Sequence, residues 1–373
     1  MQEEASTMDE GYIIRTHMDA KGRSLGSSLL VPSVQELAKE PLVEVPPRYV
    51  RVDQEHPISS CLPSSTLLEV PVIDMQLLLS EDSSNLELGR LHLACKDWGF
   101  FQMINHGVSY SLLEKMKEET QEFFNLPMEE KKKFWQDAGD IEGYGQAFVV
   151  SEEQKLDWAD MFYLVTLPHE MRKPHLFPKL PLPFRDTLEA YSREVKNVTL
   201  KTLIFIAKAL KMKVEDMKVL FDEGLQSMRM NYYPPCPEPE KVIGLSPHSD
   251  PLGITFLLQI NEVEGLQIKK DGIWIPVKPL PNAFIVNLGD IIEIVTNGLY
   301  KSIEHRAIVN SEKERLSIAT FFAPKIDVDF GPVPSLITHE TPPKFIRVSL
   351  VDYFKNFFCR ELKSKSNIEQ YYI

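Results

Sequence analysis

Three side chains in the second half of the chain have the types and spacing needed to hold one metal ion. His248 and Asp250 flank Ser249 directly before an apolar run, and His305 follows in a second strand-like segment. If one strand includes His248 and Asp250, alternation places both side chains on one face, with their Cα atoms roughly 7 Å apart. Two histidines and one carboxylate that leave coordination positions open are the ligand set of non-haem Fe(II) oxygenases, and zinc also accepts these donors.

A second pair of polar side chains follows His305 in the sequence. Arg315 and Ser317 stand two residues apart at the start of another β-rich run. A guanidinium beside a hydroxyl suits the bidentate capture of a carboxylate. A zinc hydrolase gives no reason for this pair, and the chain lacks the His-Glu-x-x-His motif, so zinc hydrolysis stays open only as a rival hypothesis.

The elements that must position these residues change in type along the chain. Apolar periodicity predicts helices near 88–98, 112–123 and 184–210, and Ser33 with Glu36 predicts a capped helix start. From Met228 onward, short β-rich runs alternate with turn signals. These runs are 228–233, 254–259, 265–269, 273–277, 283–287, 300–309 and 315–322. The order predicts an α+β protein that is mainly β, with a jelly-roll core braced by N-terminal helices.

Several other segments carry expectations of their own. Residues 142–145 contain two glycines around a tyrosine and could form either a plain loop or a lid over the site. Gly289 and Asp290 predict a turn after a strand, and the apolar positions between Val351 and Phe358 predict a helix that packs back. His106 lies beside a turn glycine with no acidic neighbour, which favours a structural role.

Composition excludes several classes of function. The net charge of −13 and the absence of a long Lys/Arg block argue against nucleic acid or an anionic membrane as partner. No run of 18 apolar residues predicts a membrane span, and the first 30 residues lack the pattern of a secretory signal. The four cysteines are widely spaced, which is typical of reduced thiols. We therefore expect a monomer in the cytoplasm.

Motifs outside the predicted metal site carry a resemblance over roughly residues 31–360. They are Val70-Pro-Val-Ile-Asp74, Asp97-Trp-Gly-Phe-Phe101, Asn105-His-Gly107, Met230-Asn-Tyr-Tyr-Pro-Pro-Cys-Pro237, Gly265-Leu-Gln267 and Val286-Asn-Leu-Gly-Asp290. Together with the order of His248, Asp250, His305, Arg315 and Ser317, they make the chain similar to the plant 2-oxoglutarate- and Fe(II)-dependent dioxygenases. Residues 156–160 and 173–177 most resemble the senescence-related-gene class and the opium-poppy alkaloid O-demethylases.

The resemblance implies a double-stranded β-helix in which the metal ligands His248, Asp250 and His305 are the catalytic residues. It implies that Arg315, Ser317 and Tyr233 hold the far carboxylate of 2-oxoglutarate, and that Asn231 contacts the end bound to iron. Ascorbate would serve as a supporting reductant.

The family's reaction would convert 2-oxoglutarate and O2 to succinate and CO2 while a substrate C–H bond is hydroxylated. Hydroxylation of an O-methyl group gives a hemiacetal that loses formaldehyde, so the expected function is hydroxylation or oxidative O-demethylation of a small plant specialised metabolite. Two alternatives remain, a 2-oxoglutarate-independent iron oxidase of the same fold and a non-catalytic small-molecule-binding relative.

The expected division is a flexible extension at 1–30, an N-terminal helical and mixed dioxygenase domain at 31–222, the jelly-roll domain at 223–324 and a helical tail at 325–373. For the substrate pocket, one of Phe321 and Phe322 should face the cavity and the other the core. Ala323 stands where flavonoid-oxidising relatives usually have an acid, which counts against a polyphenolic flavonoid. Arg229 could border the pocket or form a surface salt bridge.

Overall fold

The computed structural model describes residues 28–40, 42, 44–51 and 69–373. Most of the extension predicted at 1–30 therefore lies outside the described residues, as does Cys61. The other three cysteines, Cys95, Cys236 and Cys359, are free thiols, as the sequence predicts. Among the described residues, no helix combines the length and the apolar character that crossing a membrane requires.

Helices dominate the first part of the described chain and strands the second. The helices are α1 (Val34–Leu37), α2 (Met75–Leu79), α3 (Ser84–Leu93), α4 (Tyr110–Asn125), α5 (Met128–Lys131), α6 (Leu182–Ala209), α7 (Val214–Phe221), α8 (Asp290–Val295), α9 (Leu350–Phe358) and α10 (Ser366–Glu369). The strands are β1 (Val72–Asp74), β2 (Phe100–Ile104), β3 (Gly143–Gly145), β4 (Asp160–Leu167), β5 (Leu225–Tyr233), β6 (Leu245–His248), β7 (Ile254–Gln259), β8 (Leu266–Lys270), β9 (Ile273–Pro276), β10 (Phe284–Leu288), β11 (His305–Ala307), β12 (Arg315–Ala323), β13 (Asp329–Phe330) and β14 (Val348–Ser349).

Two sheets form the β core. The larger sheet has eight strands in the order β1-β2-β10-β7-β12-β5-β4-β3, and the smaller has the order β6-β11-β8-β9. Apart from the parallel pair β1 and β2, neighbours in both sheets run antiparallel. Residues from both sheets line one cavity, which therefore lies between them. This arrangement confirms the predicted jelly roll within an α+β protein.

The long helix α6 braces the larger sheet. Its buried stripe includes Leu188, Tyr191, Val195 and Val198, which recur at helical spacing. This helix packs against α3, α4 and α7 on one side and against strands β4, β7 and β12 on the other. The helical layer predicted from the apolar periodicity is thus present, and it fixes the sheet that carries β5 and β12.

Gly99 ends the predicted helix near 88–98 and directly precedes strand β2. The structure divides that helix into α3 and a π-helical turn, Ala94–Trp98. Gly99 has φ 61°, and a Cβ there would lie 2.2 Å from the carbonyl oxygen of Lys301. Only glycine combines this left-handed backbone with so close an approach, so the helix stop predicted at this position is confirmed.

Three local expectations were wrong in detail. Residues 143–145 form the buried strand β3 on the edge of the large sheet, so they are neither a loop nor a lid. Gly289 does not make a turn but caps helix α8. Within the run predicted as a strand at 300–309, only His305–Ala307 forms a strand, β11.

Candidate metal centre and adjoining cavities

The pairing of two strands brings the predicted metal ligands together. His248 ends β6, His305 begins β11, and these two residues are direct partners across the smaller sheet. Asp250 lies in the loop after β6, so its carboxylate converges by way of a turn and not by the strand alternation that the sequence suggested. Its Oδ1 lies 3.4 Å from Nε2 of His248 and 3.6 Å from Nε2 of His305. All three side chains are buried, and their donor atoms lie within 4.8 Å of one another.

Hydrogen bonds behind the two histidines fix which ring nitrogens face the site. Nδ1 of His248 lies 2.8 Å from the carbonyl oxygen of Ser246, and Nδ1 of His305 lies 3.2 Å from that of Ile303. A carbonyl oxygen only accepts, so each Nδ1 carries the proton and donates. Each Nε2 then keeps its lone pair for a cation, which is the orientation usual for metal-bound histidines.

The carboxylate of Asp250 is held in a similar way. Its Oδ2 accepts hydrogen bonds from Oγ1 of Thr255 and from Nδ2 of Asn287, the latter at 2.7 Å. The backbone N–H of Asp290 donates to the carbonyl oxygen of Asp250 at 2.8 Å. Gly289 permits this approach, because a Cβ there would lie 2.0 Å from the carbonyl oxygen of Leu252. Oδ1 of Asp250 therefore remains directed at the two imidazoles.

The pKa values of Asp250 and His305 favour the binding of a cation. Burial alone would raise the pKa of Asp250, but the nearby His305 and His248 and the hydrogen bond from Asn287 hold it well below its usual range. Burial and the neighbouring His248 lower the pKa of His305 to about 4. At neutral pH the site thus holds an ionised carboxylate beside a neutral imidazole, the protonation states that metal binding requires.

The second predicted group lies on neighbouring strands of the larger sheet. Arg315 is paired with Tyr233, and Ser317 with Asn231, in the antiparallel register of β12 and β5. All four side chains are buried, and they face a cavity that also reaches His248 and Asp250. These four side chains form one polar row. In the register, Arg315 and Tyr233 lie at the end of the strand pair β12 and β5, and Ser317 and Asn231 lie two residues further along it.

Several polar atoms in this row are left without partners. The guanidinium of Arg315 lies 5.2 Å from the ring centroid of Tyr233, and its Nη2 donates to Oε1 of Gln259 at 3.1 Å. Nε of Arg315 and Oδ1 of Asn231 are buried and have no hydrogen-bond partner among the described residues. Buried unpaired groups are costly, so the arrangement fits a ligand that supplies the missing partners. A carboxylate beside Arg315 would supply the acceptor that its Nε lacks, whereas Oδ1 of Asn231 needs a donor and is not satisfied by a carboxylate.

A second cavity adjoins the metal ligands and is mainly apolar. It shares His248, Asp250, Arg229 and Phe321 with the first cavity. Phe321 faces both cavities whereas Phe322 packs into the core, which confirms the predicted division between these two side chains.

The walls of this apolar cavity include residues that sequence reasoning missed. Phe148, Phe357, Phe358 and Leu362 are the clearest cases. The apolar pattern between Val351 and Phe358 predicted a packed helix but gave no indication that it faces a cavity. Phe148 lies in an irregular segment without any periodic signal.

Two other polar residues are also placed. Arg229 borders both cavities, and within the described part of the chain its buried Nε has no hydrogen-bond partner, which favours the pocket over a surface salt bridge. His106 packs against Phe284, and its Nε2 lies 3.0 Å from the carbonyl oxygen of Asn282. The structural role predicted for His106 therefore fits its contacts.

Comparisons with known proteins agree with this geometry. The sequence profile of the 2OG-Fe(II) oxygenase superfamily matches residues 224–324, and that of the non-haem dioxygenase in morphine synthesis N-terminal family matches residues 70–180. The chain is 58% identical to oxoglutarate-dependent flavonoid 7-O-demethylase 1 of Ocimum basilicum, over 94% of this chain and 93% of that protein. It is 54% identical to codeine O-demethylase of Papaver somniferum, over 92% of this chain and 97% of that protein.

A solved structure extends the similarity to three dimensions. The crystal structure of JOX2 in complex with 2OG, Fe and JA superimposes with a TM-score of 0.80 at 35% sequence identity, covering 92% of this chain and 98% of that one. Both profile matches and both relatives agree with the resemblance drawn from the motifs. The chain belongs to the 2OG-Fe(II) oxygenase superfamily and is an oxidoreductase that uses Fe(II) and 2-oxoglutarate.

Proposed function

We propose that His248, Asp250 and His305 bind the Fe(II) ion, and that Arg315, Ser317 and Tyr233 hold the far carboxylate of 2-oxoglutarate. The observation that carries this proposal is the convergence of both imidazole Nε2 atoms and one carboxylate oxygen in a buried site. Asn231 would contact the end of 2-oxoglutarate nearest the metal through Nδ2, since its side chain lines the cavity that also reaches His248 and Asp250.

The reaction is proposed to be hydroxylation or oxidative O-demethylation of a small plant specialised metabolite. When bound, Fe(II) with 2-oxoglutarate supplies the O2-dependent oxidation of a C–H bond, with release of succinate and CO2. The protein positions the substrate in the apolar cavity, and the phenylalanine side chains there keep water away from the reacting bond. Arg229 provides a donor that orients a substrate oxygen.

The structure weakens the sequence argument against a flavonoid substrate. Ala323 is fully buried in the hydrophobic core and does not belong to the lining of either cavity described above. Its small side chain therefore gives no information on what the cavity accepts. The relative at 58% identity is named a flavonoid 7-O-demethylase and another a codeine O-demethylase, so both flavonoids and alkaloids belong in the substrate search.

The rival functions explain less of the site. A zinc hydrolase has no use for a buried guanidinium with an unpaired Nε facing the metal cavity. The complete ligand set and the pair Arg315 and Ser317 argue against a non-catalytic binding relative. Iron oxidases of this fold that dispense with 2-oxoglutarate also carry the Arg-x-Ser pair, so the use of 2-oxoglutarate rests on all the site residues together. The proposal includes the division at residues 30, 222 and 324 stated above, and a cytoplasmic monomer that binds neither nucleic acid nor membrane.

The experiment that tests this function measures succinate formed from 2-oxoglutarate with Fe(II) and ascorbate, in air and under nitrogen. The purified chain is incubated with a plant metabolite extract, and Asp250→Ala serves as the matched inactive variant. We expect succinate only with both iron and O2, together with a metabolite that gains one oxygen or loses one CH2 group. Near-normal turnover by Asp250→Ala would disprove the ligand assignment, and absence of succinate despite bound iron would favour the oxidase or binding-protein alternatives.

A further inference from the structure

We propose that Lys365 is a positioning residue that fastens residues 362–365, here called the C-terminal strap, across the strand that ends in His248. In this position the strap closes the apolar cavity. The strap contributes neither a metal ligand nor a 2-oxoglutarate contact to the function proposed above. The inference rests on that function only in placing the substrate in the apolar cavity.

The strap covers the free edge of the smaller sheet. Strand β6 is the edge strand of that sheet, and such an edge leaves backbone donors and acceptors unpaired. The N–H of Ser364 donates to the carbonyl oxygen of Pro247 at 2.7 Å, and the N–H of Ser249 donates to the carbonyl oxygen of Ser364 at 3.3 Å. These two bonds bracket His248, which pairs in parallel with Ser364. The backbone of a proposed metal ligand is therefore held by the strap.

An ion pair fastens the strap at its end. Nζ of Lys365 donates to Oε2 of Glu293 at 2.7 Å and to the carbonyl oxygen of Ser302 at 2.9 Å. The Glu293 side chain is 2% exposed, so the carboxylate end of this ion pair is buried. Ser302 also donates from Oγ to Asp290 at 2.6 Å, and the N–H of Asp290 donates to Asp250. The ion pair thus ends in the polar cluster that supports the backbone of Asp250.

The opposite side of the strap forms part of the apolar cavity. Leu362 lines this cavity together with Phe357 and Phe358 of α9. The ring of Phe358 stacks on Phe148 with centroids 5.7 Å apart and an interplanar angle of 13°. Phe148 has φ 65°, a conformation that costs free energy in a non-glycine residue, so its position depends on the packing around it. Release of the strap would open this wall of the cavity to water.

The test compares Lys365→Met with Lys365→Arg, which keeps the cation, and with Lys355→Met, which removes an exposed lysine from α9. Full-length protein is loaded with Zn²⁺ and 2-oxoglutarate, and hydrogen exchange is followed in peptides covering 245–252 and 359–366. Binding of the neutral apolar fluorophore N-phenyl-1-naphthylamine reports on the apolar cavity. Calorimetry gives the Kd of 2-oxoglutarate.

For Lys365→Met we expect exchange at least about tenfold faster in both peptides, and a Kd for the fluorophore raised by about fivefold or more. The Kd of 2-oxoglutarate should stay within about twofold, because Arg315 lies on the other sheet. Lys365→Arg and Lys355→Met should match the unaltered protein. Unchanged exchange in 245–252, or an equal loss of 2-oxoglutarate affinity, would overturn the proposal.

A second variant separates fastening from the cost of a buried unpaired charge. Lys365→Met combined with Glu293→Gln removes both charges while the glutamine oxygen can still accept from Ser302. We expect this double variant to keep the fast exchange and weak fluorophore binding of the single variant. Recovery of both properties would show that the lost charge balance, and not the lost attachment, causes the defect. None of these measurements requires turnover, so failure of the succinate assay would be a separate result.

Discussion

Replacing Arg315 with methionine should strongly weaken 2-oxoglutarate binding, whereas the stability of the protein should change little or increase. The guanidinium is buried, donates to Gln259 and lies over the ring of Tyr233, and its Nε has no hydrogen-bond partner among the described residues. Burial lowers the pKa of Arg315 from its usual value, which reflects the free-energy cost of keeping this charge away from water. The protein bears that cost before any ligand arrives, so removing the charge should harm binding far more than folding.

The magnitudes follow from the contacts. Removing one member of a buried, hydrogen-bonded charge pair costs roughly 2–5 kcal/mol. The Kd of 2-oxoglutarate for Arg315→Met should therefore rise by roughly 30- to 5,000-fold. Methionine loses the bond to Gln259 but also removes a buried charge and an unpaired donor. The free energy of unfolding of the metal-free protein should then stay within about 1 kcal/mol of the original or increase.

Calorimetry with Mn²⁺-loaded protein measures the first quantity, and urea denaturation of the metal-free protein measures the second. Arg172→Met is the matched control, since Arg172 binds Glu189 at 2.6 Å and lies 3.9 Å from the ring centroid of Phe177. We expect Arg172→Met to lose roughly 2–3 kcal/mol of stability with no change in 2-oxoglutarate affinity. The reasoning fails if Arg315→Met changes the Kd less than about threefold, or if it destabilises the metal-free protein as much as Arg172→Met does.

Three further variants test the supports of the site and fold. Asn287→Ala removes the 2.7 Å bond to Asp250 and should weaken metal binding by about 10- to 100-fold in a competition titration; unchanged affinity would contradict the support assigned to it. Asp160→Ala leaves the N–H groups at the start of α1 unpaired and should cost about 3 kcal/mol in urea denaturation, whereas a loss below about 1 kcal/mol would contradict that anchoring role. Burial raises the pKa of Asp290 to about 6, so the folded state binds its proton more tightly and stability falls as pH rises from about 4 to 6, by up to about 3 kcal/mol. Asp290→Asn should remove this part of the pH dependence, and parallel stability curves for the two proteins would refute it.

The metal ligands could be found from sequence because their chemistry is carried by residue type and order. His248, Asp250 and His305 stand in β-rich surroundings, and few other functions require that combination. The way in which Asp250 reaches the site was not predictable from strand alternation. The conformation of the loop that carries Asp250 depends on the hydrogen bond from the backbone of Asp290 and on the close approach that Gly289 allows. Both residues lie about forty positions later in the chain.

The parts that sequence reasoning missed depend on contacts between distant segments. Gly143 and Gly145 suggested flexibility, yet both lie in a buried strand with positive φ, paired with β4. The apolar run at 290–295 is too short for its periodicity to distinguish a helix from a strand. Phe148 faces the cavity because it stacks on Phe358, more than two hundred residues away. Such long-range pairing has no local signal.

Three buried polar atoms that have no hydrogen-bond partner among the described residues lie beside the proposed site. They are Nε of Arg315, Oδ1 of Asn231 and Nε of Arg229, and all three belong to the strand pair β5 and β12. Their cost must be offset by the rest of the fold, and the α6 helix packs against this same sheet with a long apolar stripe. A rigid, well-packed sheet can keep such groups in place until a ligand satisfies them, whereas a mobile loop would turn them toward water. The helical layer therefore contributes to binding as well as stability, because it holds the site ready for its ligands.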